Sequence, residues 1–465
     1  MSDLDFIARL DDDILLEIFL RICLEKPENE YPKAPYSALQ LSLVCSHWRV
    51  VALSFPRLWT NTTVLFSAEA SRDGDPGPAE CAHHAMIQEE ITNLYVQRSR
   101  GWLISIFVCT GKGHRRPKWP VPPIWVFPIS DRQIDLLCQA TGWKEISFLS
   151  VSWHEQDRSW CRWLEKGALY WKTVDTVMLP GRTRLYESPA FSLAPNLRTF
   201  SFHGLGCCRS VAHYASSQTA FPFNRIHSLT IDSPPDGEVV ARDTIHTIRH
   251  ALLHFPHIRN LTVELPPAHH VYAIPTMLSL SFLTSLTLWV DYANQGMVKD
   301  FISNISLPCL HSFGLKYVNN IVQYPFPEEY VISFFSTCSR SLRSFTLEKV
   351  PIRASTLINI LSVVPELTHL ELRDPVLGSF IPYCPVSQAL ATYIEANPMF
   401  LADLEAVVLI WQREDTEGKL EKALMEMVET RRVYGKLKEV TIGRLSPFEE
   451  ISVDTIHRLA ALKRG

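Results

Sequence analysis

Hydrophobic positions between residues 10 and 59 recur with the spacing of amphipathic helices. The apolar residues form two sets, and within each set they are mostly three or four residues apart. The sets are Leu10, Ile14, Leu15, Ile18, Phe19 and Ile22, and then Leu41, Val44, Cys45, Trp48, Val51 and Ala52. This spacing predicts short helices, the first opened by the carboxylates of Asp11 to Asp13 and the last ended by Pro56. Such short helices bury little surface alone, so the pattern predicts a partner on part of this face.

A second pattern repeats from residue 140 onward, with apolar residues at the first, fourth and sixth positions of each unit. It occurs at Trp143/Ile146/Phe148, Val174/Val177/Leu179, Leu197/Phe200/Phe202, Ile226/Leu229/Ile231, Ile258/Leu261/Val263, Leu283/Leu286/Leu288, Leu310/Phe313/Leu315, Leu342/Phe345/Leu347, Leu367/Leu370/Leu372, Leu404/Val407/Leu409 and Leu437/Val440/Ile442. The alternation predicts a half-buried strand in each unit. The segments 243–255, 329–338, 354–364 and 387–396 lie between strands and have helical spacing.

The repeat period predicts an array of stacked units. Successive patterns begin 23 to 37 residues apart. Units of this length cannot bury their apolar faces alone and complete one another's core by stacking. Prolines two residues before four of the patterns, at 195, 256, 308 and 365, end the preceding helix and fix the turn into the strand. A pair of separate α/β domains is the alternative architecture.

Both patterns resemble known families. Residues 10–19, L-x-x-x-I-L-x-x-I-F, and residues 41–52, L-x-L-V-C-x-x-W-R-x-V-A, resemble the F-box. The P-R-L-W at 56–59 resembles the segment that follows it in many fungal members. Asp11 stands where the family usually has proline, and residues 24–38 form a long insertion. The L-x-x-L-x-L units resemble the leucine-rich repeat, whose strands form a parallel sheet with helices on the convex side.

The F-box resemblance implies a three-helix motif that binds the Skp-type adaptor of cullin-RING ubiquitin ligases, and through it the cullin. By position, the contacts would be Leu10, Ile14, Leu15, Ile18, Val44, Cys45 and Trp48. The expected fold is α/β, with an F-box in 1–60, a linking region in 61–140 and an irregular leucine-rich-repeat-like solenoid in 141–465. Alternatively, the N-terminal stripe only caps the following domain.

The linking region has the composition of loops around one helix and one strand. Residues 67–84 and 110–128 are rich in turn formers and are expected to be exposed loops. Between them, residues 91–108 predict a helix followed by a first edge strand. This order resembles the first helix and strand of fungal F-box proteins.

Composition and charge narrow the function classes. The formal charge of −4 favours neither nucleic acid nor an anionic membrane as partner, and no apolar run approaches the roughly 18 residues of a membrane span. The first residues are acidic where a secretory signal would be basic. The 11 cysteines have no CxxC spacing, which is typical of reduced thiols. We therefore expect an intracellular protein, in the cytoplasm or the nucleus.

Candidate catalytic chemistry is sparse in the sequence. His246, His250 and His254 stand four residues apart on one predicted helix and could share a metal ion, or could form a polar stripe facing solvent. No carboxylate or cysteine completes that set locally, and no phosphate loop, zincin or nucleophile-elbow motif is present. We expect no catalytic residue, cofactor or metal, and no enzyme activity.

A protein-binding surface is the remaining candidate. Where Leu286 and Leu288 point inward, Trp289 must point to the opposite face of the sheet. The same parity places Lys316, Glu348, His369, Glu371 and Arg373 on that face. An aromatic residue among mixed charges is typical of a binding hot spot, although an ordinary solvated strand face has a similar composition.

Together with these features, the F-box resemblance implies a substrate-recognition adaptor of a Skp-cullin-F-box ubiquitin ligase, which would hold a protein substrate on the repeat array. Two other functions stay open. A repeat scaffold outside any ligase would not bind the adaptor, and a metal-dependent enzyme using the histidine helix would contain zinc.

Overall fold

The chain forms two compact units, Met1–Ile226 and His227–Gly465. The computed structural model describes residues 10–24, 37–66, 78–110, 131–149, 166–167, 169–180, 189–203, 221–232, 244–265, 277–290, 295–303, 305–317, 328–375, 384–411, 418–444 and 452–464. The described helices include none with the length and apolar character that a membrane span requires. The expected boundaries at residues 60 and 140 both fall inside the first unit and stay a prediction.

The first unit places short helices before a parallel sheet. Its helices are α1 (Asp12–Leu24), α2 (Ser37–Ser42), α3 (Ser46–Ser54), α4 (Pro78–Ser99) and α5 (Asp131–Leu137), with 3-10 helices at Pro56–Trp59, Tyr170–Thr173, Pro189–Leu193 and Phe223–Arg225. Its strands are β1 (Asn61–Phe66), β2 (Ile104–Thr110), β3 (Trp143–Leu149), β4 (Thr176–Pro180) and β5 (Thr199–His203). Neighbours in sequence are neighbours in the sheet, and each pair is parallel.

The second unit repeats strand and helix in alternation. Its strands are β6 (Ser228–Asp232), β7 (Asn260–Leu265), β8 (Leu278–Ser279), β9 (Ser285–Val290), β10 (Ile305–Ser306), β11 (Ser312–Tyr317), β12 (Ser344–Glu348), β13 (His369–Arg373), β14 (Ala406–Trp411) and β15 (Glu439–Arg444). Its helices are α6 (Thr244–Leu252), α7 (Gln295–Ile302), α8 (Glu328–Cys338), α9 (Ala354–Ser362), α10 (Gln388–Ala396), α11 (Lys419–Tyr434) and α12 (Val453–Arg464). The sheet order is β6-β7-β9-β11-β12-β13-β14-β15, while β8 and β10 pair separately.

The α/β class and the repeated strands are confirmed. Each of the eleven sequence patterns from residue 143 onward coincides with a strand, and the first apolar residue of every pattern is buried. The helices predicted within 243–255, 329–338, 354–364 and 387–396 are α6, α8, α9 and α10. Aligned apolar positions therefore stack from strand to strand, as in Leu286, Phe313 and Phe345.

The core of the second unit lies between the helices and one face of the sheet. Phe335 of α8 packs against Phe313 and Phe345, with ring centroids 5.1 and 5.4 Å apart. Further along, side chains of β13 and β14 line one small apolar cavity together with side chains of α10 and α11. The other face of these strands points away from this core and is called the open face below.

Two predictions for the linking region are wrong. Residues 104–110 form an inner strand, because β1 pairs with β2 and takes the edge position. The loop predicted for 67–84 ends earlier, because α4 begins at Pro78, whose fixed φ suits a first helical turn. Residues 67–77 and the predicted loop at 110–128, except Thr110 at the end of β2, lie outside the described residues.

Candidate functional site

The N-terminal helices pack around a shared apolar core. Its buried members are Leu15, Phe19, Ala38, Leu41, Val51, Ala52, Leu58, Trp59 and Tyr95. The Trp59 indole N–H donates to the Ala52 carbonyl at 2.8 Å, and its ring meets Tyr95 of α4 edge-on, with centroids 5.0 Å apart. These contacts attach α3 and the 3-10 helix that follows it to α4.

An apolar stripe of α1 stays exposed. Ile14, Ile18 and Ile22, one helical turn apart, are 52%, 37% and 49% exposed, while Leu15 and Phe19, next to them around the helix, are fully buried. These three isoleucines are called the exposed apolar stripe. Leu43 and Val44, in the turn from α2 to α3, and Val50 in the middle of α3 are exposed to a similar degree. The apolar arc of α1 is thus wider than the part that the internal core covers.

The expected adaptor contacts divide into exposed and internal residues. Ile14, Ile18, Val44 and Cys45 are exposed. Leu10 packs partly against the core, and Trp48 is half-buried with its ring edge-on to Phe19 at 4.9 Å. Leu15 is fully buried and is a core residue, because it lies about 100° around the helix from Ile14, on the part of α1 that faces the core.

Polar contacts cap α3 and join it to α1 and α2. His47 Nε2 lies 2.7 Å from Asp12 Oδ1, which joins the first turns of the two helices. Cys45 caps α3, with its sulfur accepting the Trp48 backbone N–H at 3.4 Å. Arg49 donates to the Ser42 carbonyl at 3.0 Å. These residues therefore have structural roles beside the exposed apolar stripe.

The open face of the second unit carries Trp289, Lys316 and Glu348 side by side. Strand register aligns Lys316 with both of the others. The Lys316 ammonium lies 3.1 Å from a Glu348 carboxylate oxygen and 4.9 Å from the centroid of the Trp289 ring. Each side chain keeps part of its surface exposed. The contacts hold all three in one arrangement before any partner binds.

The remaining residues of the predicted substrate face lie on β13. Arg373 Nε donates to Glu371 Oε1 at 2.6 Å, and the Thr346 hydroxyl donates to the other Glu371 oxygen at 3.4 Å. His369 is exposed at the start of the same strand, and Arg373 aligns with Glu348. The structure thus brings all six residues onto the open face.

His246 and His250 lie on α6, and His254 follows the end of that helix. Neighbouring rings of His246, His250 and His254 have centroids 6.3 and 5.6 Å apart, and His257 packs edge-on against Phe282. Burial and then nearby His250 lower the pKa of His254, which favours its neutral form. Among the described residues, no group of three or more histidine, cysteine or acidic side chains is placed to hold a metal ion.

Several cysteines are shielded from reaction. Burial raises the pKa of the Cys23 thiol to about 12 and that of Cys338 to about 12. Burial, followed by Asp135, raises the pKa of Cys138 to about 11. The thiolate is the reactive form, so these three side chains are poor nucleophiles at neutral pH.

Sequence reasoning missed two features of these surfaces. Ile22 continues the exposed apolar stripe but was not among the expected adaptor contacts, although the sequence had already placed it in the first apolar set. Gly314 lies in the middle of the open face, aligned with Thr287 and Thr346. The sequence feature that could have revealed this position is a glycine inside an otherwise regular strand pattern.

Comparison with known proteins gives little guidance. No family model and no curated protein matches the chain. Among solved structures, a protein from Bacteroides fragilis is similar with a TM-score of 0.36 and 12% sequence identity, over 68% of this chain and 78% of that chain. A likeness at this level carries no argument about function.

Proposed function

We propose that the chain is the substrate-recognition adaptor of a Skp-cullin-F-box-type ubiquitin ligase, acting in the cytoplasm or the nucleus. The N-terminal helices act as an F-box that binds a Skp-type adaptor. The repeat array, of leucine-rich-repeat type, binds a protein substrate. The mechanism is proximity, because the array holds the substrate while a separate ligase module delivers ubiquitin. The chain itself supplies no nucleophile or cofactor.

The exposed apolar stripe of α1 is the observation that carries the proposal. Three isoleucines one helical turn apart leave apolar surface in water, and burying the exposed part of each, about half of its surface, would contribute about 1 kcal/mol. The internal core already accounts for Leu15 and Phe19, so packing within the helical cluster gives no reason for the stripe. Together with the F-box-like sequence around Cys45 and Trp48, this surface favours a helical adaptor as partner.

The open face supports the second half of the proposal. Trp289 and the ion pairs of Lys316 and Arg373 are held in place by neighbouring side chains. A preorganised surface loses less conformational entropy when a partner binds. Trp and Arg are also the residues that anchor protein interfaces most often.

Replacing Ile14 and Ile18 together by aspartate is expected to abolish adaptor binding. Each change places a carboxylate at a contact that the partner desolvates, which costs about 2 kcal/mol or more per hot-spot residue. The full chain is co-expressed with a Skp-type adaptor and analysed by size-exclusion chromatography. The wild type is expected to co-elute with the adaptor and the double variant to elute alone.

Ile456→Asp provides a matched control, because Ile456 of α12 is 51% exposed and lies in the other unit. This variant is expected to co-elute like the wild type, and thermal unfolding checks that all variants fold. A folded wild type that elutes without the adaptor would contradict the proposal. That result would favour a repeat scaffold outside any ubiquitin ligase.

A further inference from the structure

The amino-terminal ends of the strands form one edge of the sheet in the first unit, because each strand pair there is parallel. Backbone hydrogen bonds join the turns at this edge. The Ser105 N–H donates to the Thr60 carbonyl at 2.7 Å, and the Ile104 N–H donates to the Gly142 carbonyl at 3.1 Å. The turns at 55–60, 100–103, 141–144, 169–175, 191–198 and 221–225 are called the entry edge.

Each turn of the entry edge carries an exposed basic side chain. The six side chains are Arg57, Arg100, Lys144, Lys172, Arg198 and Arg225. Within the part of the chain that the structure describes, none of the six forms an ion pair. Arg198 donates to the Pro195 and Leu197 carbonyls of its own turn, which are uncharged partners. The entry edge therefore presents positive charges that no carboxylate neutralises by direct contact.

A single carboxylate interrupts this row of positive charges. The Asp175 backbone N–H donates to the Lys144 carbonyl at 3.0 Å, and the Asp175 carbonyl accepts the Arg198 N–H at 2.9 Å. The Asp175 carboxylate accepts the Thr176 hydroxyl at 2.7 Å. Asp175 thus lies between the turns of Lys144 and Arg198. The row has a discrete pattern of charge rather than a uniform one.

Strand-entry turns of the second unit have basic side chains that are paired. The Lys436 ammonium lies 2.6 Å from an Asp403 carboxylate oxygen, and that of Lys438 lies 2.9 Å from a Glu405 oxygen. A turn of this repeat can therefore accept a carboxylate beside its basic residue. Like charges along one edge repel one another, so the unpaired row of the first unit does not follow from the needs of the fold.

Apolar side chains are exposed on the same turns. Trp102, Leu169 and Leu193 are large hydrophobic residues with substantial exposure. Leu169 and Leu193 lie at the ends of two 3-10 helices that pack together, with Trp171 edge-on to Phe191 at 5.1 Å. Trp and Arg are the residues that most often anchor protein interfaces, so this mixture is typical of a binding surface.

We propose that the entry edge binds a short segment of a partner protein in which acidic and apolar residues alternate. Carboxylates of the segment pair with Lys144, Lys172 and Arg198, and an apolar side chain of the segment packs on Trp102. Charge complementarity steers such a segment to this edge and opposes a basic one. The entry edge shares no residue with the open face or the exposed apolar stripe, so this inference does not depend on the ligase proposal.

A nucleic acid fits the same surface less well. Asp175 would repel one part of a regularly charged phosphate backbone, and Leu169 and Leu193 would find no apolar counterpart on it. The formal charge of −4 on the whole chain also opposes a long polyanion. A short acidic segment contacts the entry edge alone and avoids this repulsion.

The test uses the full chain and fluorescence anisotropy with labelled probes. Two matched peptides are built from repeated Glu-Leu-Asp-Gly or Gln-Leu-Asn-Gly units, and oligothymidylate is the nucleic-acid probe. At about 0.1 M salt, where the Debye length is about 10 Å, the acidic peptide is expected to bind at least about tenfold more tightly than the other two probes. Equal binding of the two peptides, no binding of the acidic peptide, or tighter binding of oligothymidylate would overturn the inference.

Replacing Lys144 and Lys172 together by glutamine is expected to weaken binding of the acidic peptide about tenfold. The matched control replaces Lys436 and Lys438 by glutamine, which removes the same charge from the paired turns of the second unit and is expected to change binding less than about twofold. Trp102→Ala is expected to weaken binding about tenfold through the lost apolar contact.

Thermal unfolding checks that each of these variants folds. Arginine at both Lys144 and Lys172 keeps the charge and is expected to retain the binding of the wild type, so a glutamine variant that fails to fold does not leave the charge requirement untested. Loss of binding in the arginine variant, an equal effect of the two glutamine pairs, or binding by Trp102→Ala as tight as that of the wild type would each count against the proposed contacts.

Discussion

Replacing Arg431 by methionine is expected to lower the stability of the helix pair α10 and α11 by about 4 kcal/mol, because several carbonyl groups lose their donor. Arg431 is 3% exposed, and its guanidinium donates to the carbonyls of Ile394, Asn397 and Pro398 at 2.7 to 3.0 Å, and to that of Phe400. These carbonyls belong to the end of α10 and the turn after it, where the helix dipole is negative. Hydrogen exchange of residues 388–404 measures the loss, as a fall in protection of about 100-fold or more.

Arg432 provides the control for this prediction. It is the next residue of α11, and its guanidinium donates to the Lys438 carbonyl at 3.0 Å in an exposed setting. Arg432→Met is expected to cost less than about 1.5 kcal/mol, the net value of a single ordinary hydrogen bond. Arg431→Lys is expected to recover little of the stability that Arg431→Met loses, because an ammonium lacks the planar fork that reaches several carbonyls. Equal effects of the two methionine variants would contradict the assignment.

Arg249 is a second buried arginine of this unit that donates to the carbonyls at the end of a neighbouring helix. It is 3% exposed on α6 and donates to the carbonyls of Phe301 and Ser303, at 3.2 and 2.8 Å, at the end of α7. Burial lowers the pKa of both arginines from its ordinary value. Stacked repeats therefore use a buried arginine to satisfy the carbonyls at the end of a neighbouring helix.

Much of the repeat fold could be predicted from the sequence because each unit fixes the same three inward positions. Leu283, Leu286 and Leu288 are fully buried, and the equivalent residues of the other units follow the same rule with few departures. Period-two alternation then settles which residues reach the open face, so Trp289 and Lys316 could be placed correctly. Register between strands follows from stacking equivalent positions.

Other features depend on contacts that sequence spacing does not reveal. β1 lacks the repeated apolar pattern and could not be recognised from it. The carbonyl partners of Arg431 lie 31 to 37 residues earlier in the chain, so its role depends on how α10 and α11 pack. In the N-terminal helices, the apolar spacing located the faces of α1 but did not separate buried Leu15 from exposed Ile14. That distinction requires knowing which side α3 covers.

Replacing Trp59 by alanine is expected to destabilise the N-terminal helical cluster by about 4 kcal/mol, within the range for removing a buried tryptophan. The side chain is 1% exposed, contacts Tyr95 and donates to Ala52. Removing it leaves a cavity where α3 and the 3-10 helix join α4. Hydrogen exchange in α1 and α3 measures the loss, and Trp102→Ala, at a 52% exposed tryptophan of the same unit, is the control with an expected cost below about 0.5 kcal/mol.

The comparison of Trp59→Ala with the double aspartate variant separates two ways of losing the proposed adaptor binding. Trp59 does not reach the surface, so its removal weakens binding only by loosening the helices that present the exposed apolar stripe. The aspartates at Ile14 and Ile18 leave the core intact and change the contact itself. We therefore expect both variants to lose adaptor binding. We expect faster hydrogen exchange in Trp59→Ala alone. Unchanged exchange in Trp59→Ala would mean that α3 does not depend on this core.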